Sequence, residues 1–173
     1  MKQFLCKVLI LVCVVSCNET KKDINMNDSH VSHNQKELKK YINIDTNIKE
    51  CTFEFSMRTI NSSRISVGTN DYQLYAVLEY EKEDFIKIVE KIQKYNKRND
   101  VYLEVNKIPK WFPDGLVDSF TKEGEYYHLV NSYEPNLFLS KENPLFVNGF
   151  CYIGNNETYI IIFLHSLMDN AQN

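Results

Sequence analysis

Two periods of apolar recurrence alternate along this chain. Over residues 51–57 strict alternation puts Cys51, Phe53, Phe55 and Met57 on one side and Thr52, Glu54 and Ser56 on the other, which predicts a strand with one buried face. "NSSRISVGTND" follows, rich in turn-forming residues, and predicts a loop. Residues 72–80 alternate again, with Tyr72, Leu74, Ala76, Leu78 and Tyr80 on one face. In "EKEDFIKIVEKIQKYNKRND" the period lengthens to about 3.6, so that Phe85, Ile88, Val89, Ile92 and Tyr95 form one stripe and predict an amphipathic helix over 83–97. Glu81, Glu83 and Asp84 at its start and Lys97 and Arg98 at its end suit the helix dipole. Glu83 to Lys87 and Glu90 to Lys94 add i,i+4 pairs.

The C-terminal third reads as antiparallel β: "EYYHLVNS", "NLFLS", "PLFVNGFCYI" and "TYIIIFLHS", after a short "VYLEV" strand. Gly154, Asn155 and Asn156 supply the turn between the last two. "YIIIFL" is apolar on both faces and belongs at the centre of a sheet. The expected fold class is α+β, an antiparallel β-sheet packed on one main amphipathic helix, in a single domain over residues 36–173. "KELKKYINI" opens it, as a short helix or an irregular entry segment.

The N-terminus has a different pattern. A basic start (Lys2, Lys7) precedes the uninterrupted apolar run of residues 8–15, which is far short of the ~20 residues a helix needs to cross a bilayer. Small Ser16 and Cys17 follow, then polar residues. Val14-Val15-Ser16-Cys17 resembles the lipobox of bacterial lipoproteins, departing from its commonest form in lacking Leu at the first place. The resemblance covers only the first two dozen residues. It implies that residues 1–16 are a signal peptide, that Cys17 carries a diacylglycerol, and that the mature protein is held on the cell envelope. Asn18 after the cysteine implies the outer membrane where the host has two membranes. Residues 17–35, nearly devoid of apolar side chains after the cysteine, read as a flexible tether. His30 and His33 within it lack further ligands at metal-binding spacing.

Export changes the cysteine arithmetic. Cys6 and Cys13 leave with the signal, and Cys17 is acylated, so Cys51 and Cys151 remain, each on an inward strand face: Cys151 alternates with Leu145, Val147 and Ile153. In an oxidising compartment the pair can bridge, and the alternative is two buried thiols behaving as small hydrophobes.

Charge narrows the partners. The formal net charge is −3, and loss of Lys2 and Lys7 takes it to −5, which argues against nucleic acid as a partner. No phosphate loop, GxSxG, HExxH or CxxC motif occurs, and no cofactor is implied. His128 and His165 fall in predicted strands. Glu83-Asp84 and Asp114/Asp118 would serve acid–base chemistry only inside a cleft. Trp111 and Phe112, bracketed by Pro109 and Pro113, form either a partner-binding hot spot or a plug at the end of the core. The leading expectation is a non-enzymatic lipoprotein that binds a protein of the envelope, inhibitor-like or immunity-like. The alternatives are a small envelope hydrolase using a histidine with carboxylates, and a structural envelope component.

Overall fold

The structure, a computed structural model, describes residues 26–60, 69–142, 144–155 and 158–166. Its strands in chain order are β1 (Met26–Ser32), β2 (Glu50–Ile60), β3 (Thr69–Glu79), β4 (Lys97–Arg98), β5 (Tyr102–Glu104), β6 (Thr121–Glu123), β7 (Tyr126–His128), β8 (Ser132–Tyr133), β9 (Asn148–Ile153) and β10 (Tyr159–His165). Its α-helices are α1 (Gln35–Leu38), α2 (Lys82–Ile92) and α3 (Asp114–Val117). Seven strands pair antiparallel in the order β1-β2-β3-β10-β9-β8-β4, and β5-β7-β6 form a separate small sheet. The fold is a single α+β domain dominated by antiparallel sheet.

β10 occupies the middle of the large sheet, where both faces of "YIIIFL" are consumed. Ile160, Ile162 and Leu164 enter one core and Ile161 the other, all fully buried. The first core joins Cys51 and Phe53 of β2, Leu74, Ala76 and Leu78 of β3 and Cys151 of β9 to Phe85, Ile88 and Ile92 of α2, together with Leu38, Ile42, Phe138 and Phe146. This face is therefore covered by two helices and a loop rather than by one helix alone. The second core packs Val77, Phe150, Tyr152 and Ile161 against Val101, Phe112, Leu116, Phe120 and Leu129. Its cover is the segment 101–129, which carries α3 and the small sheet.

Several expectations change. The stretch read as a tether contributes β1, paired with β2 from Met26 onward, and then α1, capped by the Asn34 side chain on the amides of Lys36 and Glu37. An edge strand is held by main-chain pairing and tolerates a polar sequence. In β1 only Ser32 is buried among the side chains described, and Val31 points out. α2 ends at Ile92, not 97, because Lys97 and Arg98 pair with β8 and the Arg98 guanidinium donates to the Gly149 carbonyl at 2.8 Å. "NLFLS" is a turn: the Phe138 amide donates to Pro135 O, which drops the ring into the first core. Val147 precedes β9 and is 45 % exposed. Gly149 has φ +143°, and a Cβ there would strike the Phe163 carbonyl, so only glycine lets β9 and β10 approach this closely. Asn156 and residues 61–68 lie outside the described residues.

Of the two readings left open for Cys51 and Cys151, the structure shows the buried thiols and not the bridge. Both thiols are free and buried. Cys51 sits on β2 and Cys151 on β9, with β3 and β10 between them. Three strand intervals of ~4.7–4.9 Å place them about 14 Å apart across the sheet, twice the ~7 Å Cα limit of a disulfide. Burial raises the Cys51 thiol pKa and pushes that of Cys151 up to about 12.

Candidate functional site

Cross-strand register arranges the second face of the large sheet into rows. Thr52, Val77, Ile161 and Tyr152 form a largely apolar row beneath the 101–129 cover. The next row is Val31, Glu54, Tyr75, Phe163 and Phe150. The third is wholly polar: Ser29, Ser56, Gln73, His165 and Asn148. The cover buries Val77, Ile161 and Tyr152 of the first row and Phe150 of the second, packs on Tyr75 and Phe163, and leaves the third row half-buried except for exposed Ser29. Beside these last two rows lies an open groove of about 760 Å³, floored by Glu54, Ser56, Gln73, Tyr75 and Phe163 and walled by Asn106 to Lys110.

Trp111 and Phe112 fix that wall. Phe112 is 4 % exposed and sits in the second core. Its ring meets Trp111 at 4.7 Å and Tyr75 at 6.3 Å, both edge-on. Trp111 packs against the same core, and its indole N–H donates to Glu54 Oε2 at 2.9 Å, latching the proline-bracketed loop to β2. Tyr75 and Phe163 lie 4.5 Å apart and form the aromatic part of the floor. The structure thus places Trp111-Phe112 as a plug of the second core and the inner support of the groove wall.

The small sheet presents a second surface. Leu103 and Tyr127 pack inward on the second core. Its outer face carries Tyr102, Glu104, Glu123, Tyr126 and His128 by register. Tyr102 and Tyr126 are 48 % and 46 % exposed. The His128 ring stacks on Tyr102 at 4.5 Å, with Nδ1 3.2 Å from Glu123 Oε1 and Nε2 3.1 Å from the Asn99 carbonyl. Both ring nitrogens are engaged. A salt bridge from Lys107 to Glu104 closes one rim.

The remaining sequence candidates do not converge. His165 lies on β10 beside Gln73 and Asn148, Asp114 and Asp118 are exposed on and just after α3, and Asp84 pairs with Lys87 at 2.8 Å. His33 Nδ1 lies 3.0 Å from Thr52 Oγ1, and His30 faces Phe55 across β1 and β2. Among the described residues no cluster of three potential metal ligands occurs, and no helix is long and apolar enough to cross a membrane. Cys17 lies outside the described residues. The sequence missed Tyr102 and Tyr126, although their place in short alternating strands was a usable signal. It also missed the groove, whose residues come from β1, β2, β3, β10 and residues 106–110. No protein family, curated protein or solved structure matches this chain.

Proposed function

We propose that the chain is an exported bacterial lipoprotein, anchored through Cys17 to the envelope, and that it works by binding a protein partner rather than by catalysis. The outer membrane is its place where the host has two. The observation that carries the binding reading is the outer face of the small sheet: two half-exposed tyrosines, one braced by the His128 ring, within a charged rim of Glu104, Glu123 and Lys107. Tyrosine supplies large contact area at low conformational entropy, and an aromatic centre with a polar rim is the anatomy of a protein interface. An inhibitor-like or immunity-like role fits such a surface. On the other side of the domain we take α2, through Phe85, Ile88 and Ile92, as the principal helix against the sheet.

A photo-cross-linker at Tyr126 in membranes of the native host tests the reading, with Ile86, 50 % exposed on α2, as the control position. A discrete adduct from position 126 alone, lost with Tyr102→Ala, supports it. Equal labelling from both positions overturns it. Cys17→Ser should abolish incorporation of labelled palmitate, and continued incorporation removes the anchor.

A further inference from the structure

His128 joins the two sides of the tyrosine platform, and its partners specify a charge state. Nε2 lies 3.1 Å from the Asn99 carbonyl oxygen and Nδ1 3.2 Å from Glu123 Oε1. A main-chain carbonyl and a carboxylate only accept hydrogen bonds, so each contact asks the ring for a proton. Neutral imidazole has one N–H and would turn a lone pair on the other oxygen. The imidazolium satisfies both, and its charge also suits the face of Tyr102, against which it stacks at 4.5 Å.

The contact with Glu123 crosses the hairpin of β6 and β7 on a diagonal, because His128 stands opposite Thr121 and Glu123 opposite Tyr126. Little else holds β6. Its three residues are all exposed, none belongs to either core, and it is an edge of the small sheet. On the other side the ring holds Tyr102 of β5 and the Asn99 carbonyl just before that strand. The other charged groups around it are matched or turned away. Glu104, in the row of Tyr126 and Glu123, takes Lys107, and Asp100, beside Asn99, takes Arg98. Lys122 belongs to the opposite face by register, and Glu125 lies in the turn. Among the described residues Glu123 has no ion pair except His128.

We infer, on the reading of this face as the partner surface, that His128 is a proton-operated brace. With the ring charged, β5, β6 and the chain at Asn99 are drawn into one platform that meets the partner; with the ring neutral, β6 is released. Histidine changes charge between about pH 5 and 8, a window in which ordinary carboxylates, phenols and lysines do not. His30, His33 and His165 lie on or beside the large sheet, away from this one. Partner binding therefore tightens as the medium acidifies through that window and loosens as it turns alkaline.

Full-length protein in detergent, labelled with ¹⁵N at histidine and assigned against His128→Phe, is followed by NMR from pH 5 to 8. At the acid end both ring nitrogens of His128 should carry slowly exchanging protons, and Glu123→Gln should lower the protonated fraction at pH 7. Amide protection over β6 and β7 should be about threefold higher at pH 5.5 than at pH 8, with β2 and β3 unchanged. His128→Phe keeps a ring against Tyr102 without either donor, so its protection there should be low and indifferent to pH. Cross-linking from position 126 in host membranes should fall by a similar factor from pH 5.5 to 8, and should lose that dependence in His128→Phe. Equal protection of β6 and β7 at the two pH values overturns the inference, as does an adduct whose yield ignores pH. Absence of any adduct, with the protection change intact, supports the brace and overturns the partner reading alone.

Discussion

The two faces of the large sheet are buried by different means. On the face that meets α2, apolar side chains run from β2 through β3 and β10 to β9, and the cover extends from α1 through α2 to the loop carrying Phe138 and Phe146. On the opposite face burial stops part of the way along the strands: an apolar row, then a mixed row, then a polar one. A sheet covered on both sides gives a core and nothing else. A sheet whose second cover is shorter than its strands keeps a rigid, exposed floor, and a binding surface needs that rigidity, because groups already held in place lose little entropy when a ligand arrives.

If the first face is the main source of stability, Phe53→Ala should be the most damaging single change. Its ring is fully buried, and truncation of such a residue costs about 3–5 kcal/mol, read from the midpoint of urea unfolding. Leu116→Ala, fully buried under the second cover, should cost about 2–3 kcal/mol, near the low end for such truncations. Hydrogen exchange should sharpen the contrast: protection is lost over 101–129 in the Leu116 variant and kept in β2, β3 and β10. Uniform loss of protection would mean that the two faces fold as one unit. Trp111→Phe keeps an aromatic ring in place and removes the indole donor to Glu54, so it should cost about 1 kcal/mol and leave hydrogen-exchange protection in β2, β3 and β10 unchanged.

The smallest effect at neutral pH comes from the buried acids of the sheet. Burial pushes both the Cys151 thiol and the Tyr80 phenol up to about 12, from ordinary values of 9.0 and 10.0. Below about pH 8 both groups are protonated whether the chain is folded or not, and they impose no pH dependence. Between pH 9 and 12 the unfolded chain releases protons that the folded chain holds, so stability falls as pH rises through that window. Urea midpoints from pH 8 to 11 should show this decline, and Cys151→Ala should make it shallower while the Tyr80 share remains. Native Cys51 and Cys151 should also resist alkylation at pH 7, since burial disfavours the thiolate of each, and unfolding without reductant should expose both.

The strongest elements were legible because their signal is local. Alternation marked β2 and β3, the 3.6-residue stripe marked α2, and two-faced apolarity put β10 at the centre. Elements defined by pairing partners were not. Nothing in "MNDSHVS" is apolar enough to announce a strand, and β1 exists because β2 offers it an edge. Lys97 and Arg98 looked like the last turn of a helix by charge, but strand pairing with β8 overrode that preference. The Cys51–Cys151 bridge failed for the same reason: alternation reports which face a residue occupies and is silent on how many strands lie between two residues. Trp111 and Phe112 were visible as a pair, whereas Glu54, which holds the indole, lies 57 positions earlier in the chain. Tyr75 and Phe163 are also far apart in sequence and meet only through the register of β3 and β10.

β1 also sets a length. It begins at Met26, nine residues after Cys17, so with Cys17 lipidated as proposed the span between anchor and sheet is at most ~30 Å, at ~3.3–3.6 Å per residue. A domain of this size has a radius of gyration of about 14 Å, which makes the mooring roughly one domain diameter long. Ser29, at the rim of the groove, sits three residues into the strand from that mooring point. With that anchor the groove would open at the moored end of the molecule. Whatever entered it would then be taken up within about one domain diameter of the membrane, and a long polymer would reach it only where it already ran that close.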